Sequence, residues 1–142
     1  MILRRLLDAV LFLAATVGLV VVGSGCGPCY ESLEVTAVTT PASAVVLSPG
    51  FELAAGTSVT VEVEPVSRSD RPAYNDHTWV GLVSQDPEIF RVEADAADPR
   101  RFALVGVAPG ETCVDVQING FVEDCIPATV TPSAPTAESG PR

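Results

Sequence analysis

The stretch "TSVTVEVEP", residues 57–65, decides the fold. Val59, Val61 and Val63 fall on one face, and Thr60, Glu62 and Glu64 on the other. A period of two is the repeat of a β-strand, and one apolar face beside one polar face is what a half-buried antiparallel strand needs. Just before it, "FELAAG" at 51–56 supplies apolar residues and then a turn glycine, Gly56. "LEVTAV" at 33–38 reads as an earlier strand. Downstream, "HTWVGLVS" at 77–84, "EIFRVEA" at 88–94 and "RRFALVGV" at 100–107 read as three more. "ETCVDVQI" at 111–118 repeats the alternation, with Val114, Val116 and Ile118 inward. "FVEDCIPATVTP" at 121–132 returns antiparallel, with Ile126, Ala128 and Val130 inward. Pro127 inside that last segment predicts an edge strand or a local bulge, because proline donates no ladder hydrogen bond. About seven strands separated by proline and glycine predict an all-β sandwich over residues 32–132. The polar segment "SRSDRPAYND" at 67–76 is a long loop, and residues 133–142, rich in proline, serine and alanine, read as a disordered tail.

The first 25 residues have a different texture. Arg4 and Arg5 precede an apolar run from Ala9 to Val22, and the small residues Gly23, Ser24 and Gly25 follow. Positive end, apolar centre and small-residue cleavage zone is the order of a secretory signal. The uninterrupted run is 14 residues, short of the ~20 that span a bilayer. A cleaved N-terminal signal peptide is therefore expected over residues 1–25, and it accounts for the positive mean hydropathy of +0.35. The remainder carries 6 basic and 17 acidic residues, and the chain has no lysine. A surface of that sign repels phosphate backbones, which argues against nucleic-acid binding.

Cys26 and Cys29 sit three apart directly after the signal. A redox reading of that spacing belongs to cytosolic chains with a βαβ pattern, and a zinc site needs further ligands. The sole histidine is His77. A signal that ends in small residues followed at once by cysteine resembles the lipobox of bacterial lipoproteins. The resemblance implies that Cys26 is the lipidated residue, with Ser24 and Gly25 in the two positions before it. Residues 26–31 would then form a lipidated tether. Gly23 stands where that family usually has leucine or another aliphatic residue. Multiple acyl chains, each contributing about 0.8 kcal/mol per buried CH₂, hold a protein stably to a bilayer. Gly27 follows the cysteine instead of the aspartate that retains some lipoproteins at the inner membrane, so the resemblance favours the outer membrane. The alternative location is secreted or periplasmic, by ordinary signal cleavage.

Cys113 and Cys125 flank Asn119-Gly120, a strong hairpin turn signal. In a hairpin centred there the two cysteines fall at or near facing positions, and an exported protein keeps such a bond. Four cysteines allow three full pairings, which the sequence does not decide between.

The order of the strands and turns resembles a bacterial immunoglobulin-like domain of the group 2 type, found in surface proteins such as intimins and invasins. The matching pieces are "GTSVTVEV" at 56–63, Trp79 followed by "SQDPEIFRV" at 84–92, "LVGVAPGETCVDVQING" at 104–120 and "ATVTP" at 128–132. They cover about residues 32–132 and mark turns and core positions. The chain departs from the pattern by extra residues between Trp79 and Ser84 and by the cysteine pair. The resemblance implies an immunoglobulin-like antiparallel sandwich with Trp79 in its core. It implies a spacer, adhesion or ligand-binding role, and such a fold does not by itself fix function.

No catalytic set is assembled in the sequence. His77 is alone, whereas a triad needs nucleophile, base and orienting acid together. Asp70, Asp76 and Asp86 flank the long loop without a calcium-binding motif. Glu111, Asp115, Glu123 and Asp124 lie on or beside the last hairpin and read as a solvated face. No catalytic residue, metal ligand or cofactor is expected. Tyr74 and Asp76, in the loop, are the candidate binding residues. The expected function is a non-catalytic envelope lipoprotein held to a membrane through Cys26, meeting an envelope protein or polysaccharide. The alternative is an unanchored secreted adhesin or carbohydrate-binding module, which predicts exposed aromatic residues.

Overall fold

The structure is a computed structural model that describes residues 27–39, 45–47 and 50–134. The expected signal peptide, Cys26 and residues 135–142 lie outside the described residues. Nine strands are present among the described residues: β1 (Tyr30–Thr39), β2 (Val45–Leu47), β3 (Gly50–Ala54), β4 (Ser58–Ser67), β5 (Val80–Ser84), β6 (Phe90–Ala94), β7 (Arg101–Gly106), β8 (Gly110–Ile118) and β9 (Phe121–Thr131). They form two sheets, ordered β1-β4-β7-β6 and β2-β3-β9-β8-β5.

The valine alternation of 57–65 sets the packing. Val59, Val61 and Val63 are fully buried, as are Leu104 and Phe90 of the same sheet. Opposite them lie Leu53, Val114, Val116, Ala128 and Val130. Phe90 and Phe51 stack across the two sheets with ring centroids 5.9 Å apart. Leu33, Val35 and Ala37 of β1 close one side of this core. No charged or polar side chain is buried among the described residues, so the interior is apolar throughout and stabilised by area removed from water.

Two features depart from the sequence reading. Seven strands were expected and nine are present, because β2 and β3 form a short antiparallel pair and β3 then runs parallel to β9, from Phe51 opposite Ala128 to Ala54 opposite Thr131. Pro127 is also not in a wholly edge strand. β9 lies between β3 and β8 from Ala128 onward, and is an edge only over its first half. Pro127 stands where the pairing with β3 begins, so its missing N–H falls where one neighbour is still absent. Gly50 meets it there: a Cβ at Gly50 would lie 2.7 Å from the Pro127 carbonyl oxygen. The register shift in the β8–β9 pair is elsewhere, between Val116 and Gln117. Val116 faces Asp124 and Gln117 faces Val122, which leaves Glu123 as the extra, bulged residue.

Candidate interaction surface

The outer face of the five-stranded sheet is assembled by the last hairpin. Asn119 and Gly120 both have positive φ, 52° and 88°, the backbone of the two-residue turn that Asn-Gly favours. Asn119 also reaches β5. Its side-chain oxygen accepts the Trp79 N–H at 3.1 Å, and its own N–H donates to the Trp79 carbonyl at 3.0 Å. Trp79 is thereby fixed at the mouth of β5.

Trp79 is not a core residue. Val80 and Leu82 point inward and are buried, so Trp79, Gly81 and Val83 face outward. The indole lies over Gly81: a Cβ there would meet the ring at about 2.4 Å (Cη2) and 2.9 Å (Cζ2). A larger residue at 81 would lift the ring away, so this glycine provides the space for a close approach. The ring stays 49% exposed. The register extends this row across the sheet, Gly81 opposite Gln117 and Gln117 opposite Val122. The next row sets Val83 opposite Asp115 and Asp115 opposite Cys125. Val122 is 58% exposed on this face, whereas Phe121, 72% exposed at the hairpin tip, opposes the inward Ile118 and projects to the other side of the sheet. Three of the six exposed large apolar side chains among the described residues, Trp79, Val83 and Val122, therefore share the outer face of one sheet.

The disulfide lies on this same face. The structure joins Cys113 to Cys125, with Cα atoms 5.8 Å apart. The two are diagonal, not facing: Cys113 opposes Pro127 and Cys125 opposes Asp115. Gln85 donates to Asp115 Oδ1 at 2.9 Å beside it. Cys29 has no disulfide partner among the described residues, and its backbone is held by Ser67 and Arg68.

The loop candidates stand apart from one another. Tyr74 is half-buried and packs against the core, so it is less of an exposed contact than its loop position implied. It borders a shallow cleft of about 360 Å³ with Glu34, Glu64, Pro65, Arg68 and Arg71. Asp76 and His77 are exposed in a turn, where the His77 N–H donates to Asn75 Oδ1 at 3.0 Å. Asp70 pairs with Arg68 and Arg71, and Asp86 Oδ1 accepts the Glu88 N–H. Asp95 and Asp98 accept backbone N–H groups two residues on, as turn-forming aspartates do. Among the described residues no three His, Cys, Asp or Glu side chains gather as a metal site.

At the end of the sandwich the Tyr30 hydroxyl donates to Asp124 Oδ2 at 3.1 Å, tying β1 to β9 and one sheet to the other. Burial first, then the Asp124 carboxylate, hold the Tyr30 hydroxyl well above its ordinary titration range. Burial and then Glu123 push the Tyr74 hydroxyl up as well.

The sequence reading missed Val83 and Val122, and placed Trp79 on the wrong face. The signal was present in the alternation: inward Val80 and Leu82 force Trp79 outward, and Gly81 is the residue its ring needs.

No protein-family model matches the chain, and no curated protein matches it. Solved structures do. The fold is similar to that within domains 1–6 of the surface layer protein SbsC, at 21% identity and a TM-score of 0.53, covering 78% of this chain and 14% of that one. It is also similar to domains 5–6 of SbsC, at 21% identity and a TM-score of 0.52, covering 78% of this chain and 48% of that one. The chain thus spans less than half the length of either structure, and likeness at this identity shows the all-β domain fold alone.

Proposed function

We propose that this chain is a non-catalytic envelope lipoprotein: a single immunoglobulin-like sandwich held at a membrane surface by acyl chains on Cys26. The observation that carries the reading is the junction between signal and domain. β1 begins at Tyr30, so only residues 27–29 separate Cys26 from the sandwich. Three extended residues reach about 10 Å, which sets the domain directly on the lipid headgroups. The immunoglobulin-like assignment is supported by the strand order. With β1, β4, β5, β6, β7, β8 and β9 read as A, B, C, D, E, F and G, the sheets correspond to ABED and CFG. The likeness to domains of a surface layer protein supports a cell-surface, structural or binding role.

The alternative, a secreted adhesin or carbohydrate-binding module, has one observation in its favour, the exposed rings of Trp79 and Phe121. Extraction separates the two readings. A lipid-anchored chain stays with the membranes of its own cells through high salt and alkaline carbonate, and leaves only with detergent. Recovery from the culture medium or from the carbonate supernatant would favour the secreted module.

A further inference from the structure

The cations of this sandwich are segregated by sheet, whereas acids lie on both. Strands β2, β3, β5, β8 and β9 contain no arginine, lysine or histidine, and they carry Glu52, Glu111, Asp115, Glu123 and Asp124. The arginines of the described residues are all on the other sheet or its loops: Arg68, Arg71, Arg91, Arg100 and Arg101. There Arg68, Arg71, Arg91 and Arg101 pair with local acids, and Arg100 donates to the Asn75 carbonyl. None of the acids of the five-stranded sheet has an ion-pair partner among the described residues. On the outer face the exposed apolar side chains Trp79, Val83 and Val122 lie inside this uncompensated field, with Asp115 in the second row and Glu123 bulging beside Val122.

We propose that this face docks a basic segment of another polypeptide, one that alternates cationic and aliphatic side chains. The aliphatic groups would cover Val83 and Val122. The cations would meet Asp115 and Glu123, and one guanidinium would lie on the open face of the Trp79 ring, an arrangement that attracts by the ring quadrupole. Charge complementarity selects the partner. A second copy of this chain would bring the outward Glu52, Glu111 and Asp115 against the same acids with no cation on the face. A neutral sugar would leave those acids uncompensated. The proposal names the partner class for the binding role proposed above and rests on that role, but not on the lipid.

The sole tryptophan of the chain is in the patch, so its emission reports binding directly. The full chain, purified in non-ionic detergent, is titrated with a synthetic peptide alternating arginine and leucine. A glutamate–leucine peptide and an arginine–serine peptide serve as controls. The arginine–leucine peptide is expected to shift Trp79 emission to the blue, saturably, and to weaken as salt shortens the Debye length below about 10 Å. The arginine–serine peptide binds about tenfold more weakly, for want of an apolar anchor, and the glutamate–leucine peptide does not bind. Combining Val83→Ser with Val122→Ser, or Asp115→Asn with Glu123→Gln, weakens binding about tenfold. Glu34→Gln with Glu64→Gln, which changes the net charge equally on the other sheet, leaves it unaltered.

Equal binding of both leucine peptides, or patch variants that bind as the parent does, would overturn the proposal. So would sedimentation showing self-association that the patch variants abolish, or a neutral oligosaccharide that shifts Trp79 as the peptide does. The intact mass of the same sample reports the lipid independently. An unacylated chain that still binds the peptide would end the anchoring claim and leave the docking face standing.

Discussion

Replacing Gly81 by alanine tests the geometry on which the patch depends. The backbone at Gly81 is ordinary extended strand, so alanine itself is acceptable there. Its methyl is not, because Cβ would lie 2.4 Å from Trp79 Cη2. The ring tip is the mobile partner, and it swings outward while the strand holds. Tryptophan covers about 150–250 Å² when packed, so a ring about half covered hides on the order of 100 Å². At about 25 cal/mol per Å² that contact contributes about 2.5 kcal/mol, or about 2 kcal/mol against a compact unfolded chain. Alanine restricts the unfolded chain and offsets about 0.4–1 kcal/mol of the loss. A net destabilisation of about 1–2 kcal/mol follows. Urea unfolding followed by far-UV circular dichroism measures it, since the strands survive. Trp79 emission of the folded state should move to the red, and acrylamide should quench it more readily. Unchanged emission and quenching in Gly81→Ala would refute the placement of the ring over Gly81.

Three further outcomes follow from the structure. Phe90→Ala removes a fully buried ring stacked on Phe51 and is expected to cost about 3–5 kcal/mol. Phe121→Ala, at the exposed tip, changes stability by no more than about 0.5 kcal/mol, and the two urea midpoints provide the comparison. Replacing Cys113 and Cys125 together by serine opens a loop of sequence separation 12. The chain-entropy model gives about 3 kcal/mol for that loss, read as a lower urea midpoint that matches the parent under reducing conditions. The raised Tyr30 titration fixes a sign for alkaline pH. The folded chain keeps the proton where the unfolded chain, titrating near 10, has released it. Stability from this group is therefore whole below about pH 10 and is lost as pH rises above that value. Tyr30→Phe should show a smaller fall between pH 9 and pH 11, roughly, in guanidinium midpoints.

Much of this fold is legible in the sequence because most of it is local alternation. Val59, Val61 and Val63 are buried as the period of two requires, and Val114, Val116 and Ile118 likewise. The turn at Asn119-Gly120 is legible because positive φ at two successive positions restricts residue choice. The β3–β9 pairing is not legible. It joins Phe51 to Ala128, far along the chain, and parallel pairing leaves no turn signal. The position of Pro127 depends on that same distant strand. Trp79 was misplaced because the family resemblance outweighed the local pattern. The interaction face shows why alternation alone is incomplete: its residues are outward positions of three strands, and only the register sets Gly81, Gln117 and Val122 in one row. The bulge at Glu123, which shifts that register by one, has no signature in the residues around it.

The claim that this sandwich sits on a membrane through its first mature residue is tested most directly by the intact mass of the protein recovered from the membranes of its own cells. The account predicts a chain beginning at Cys26 and carrying the mass of its acyl groups, with Cys113 and Cys125 oxidised. A chain without added lipid, or one that begins elsewhere with Cys26 removed or unmodified, would contradict it.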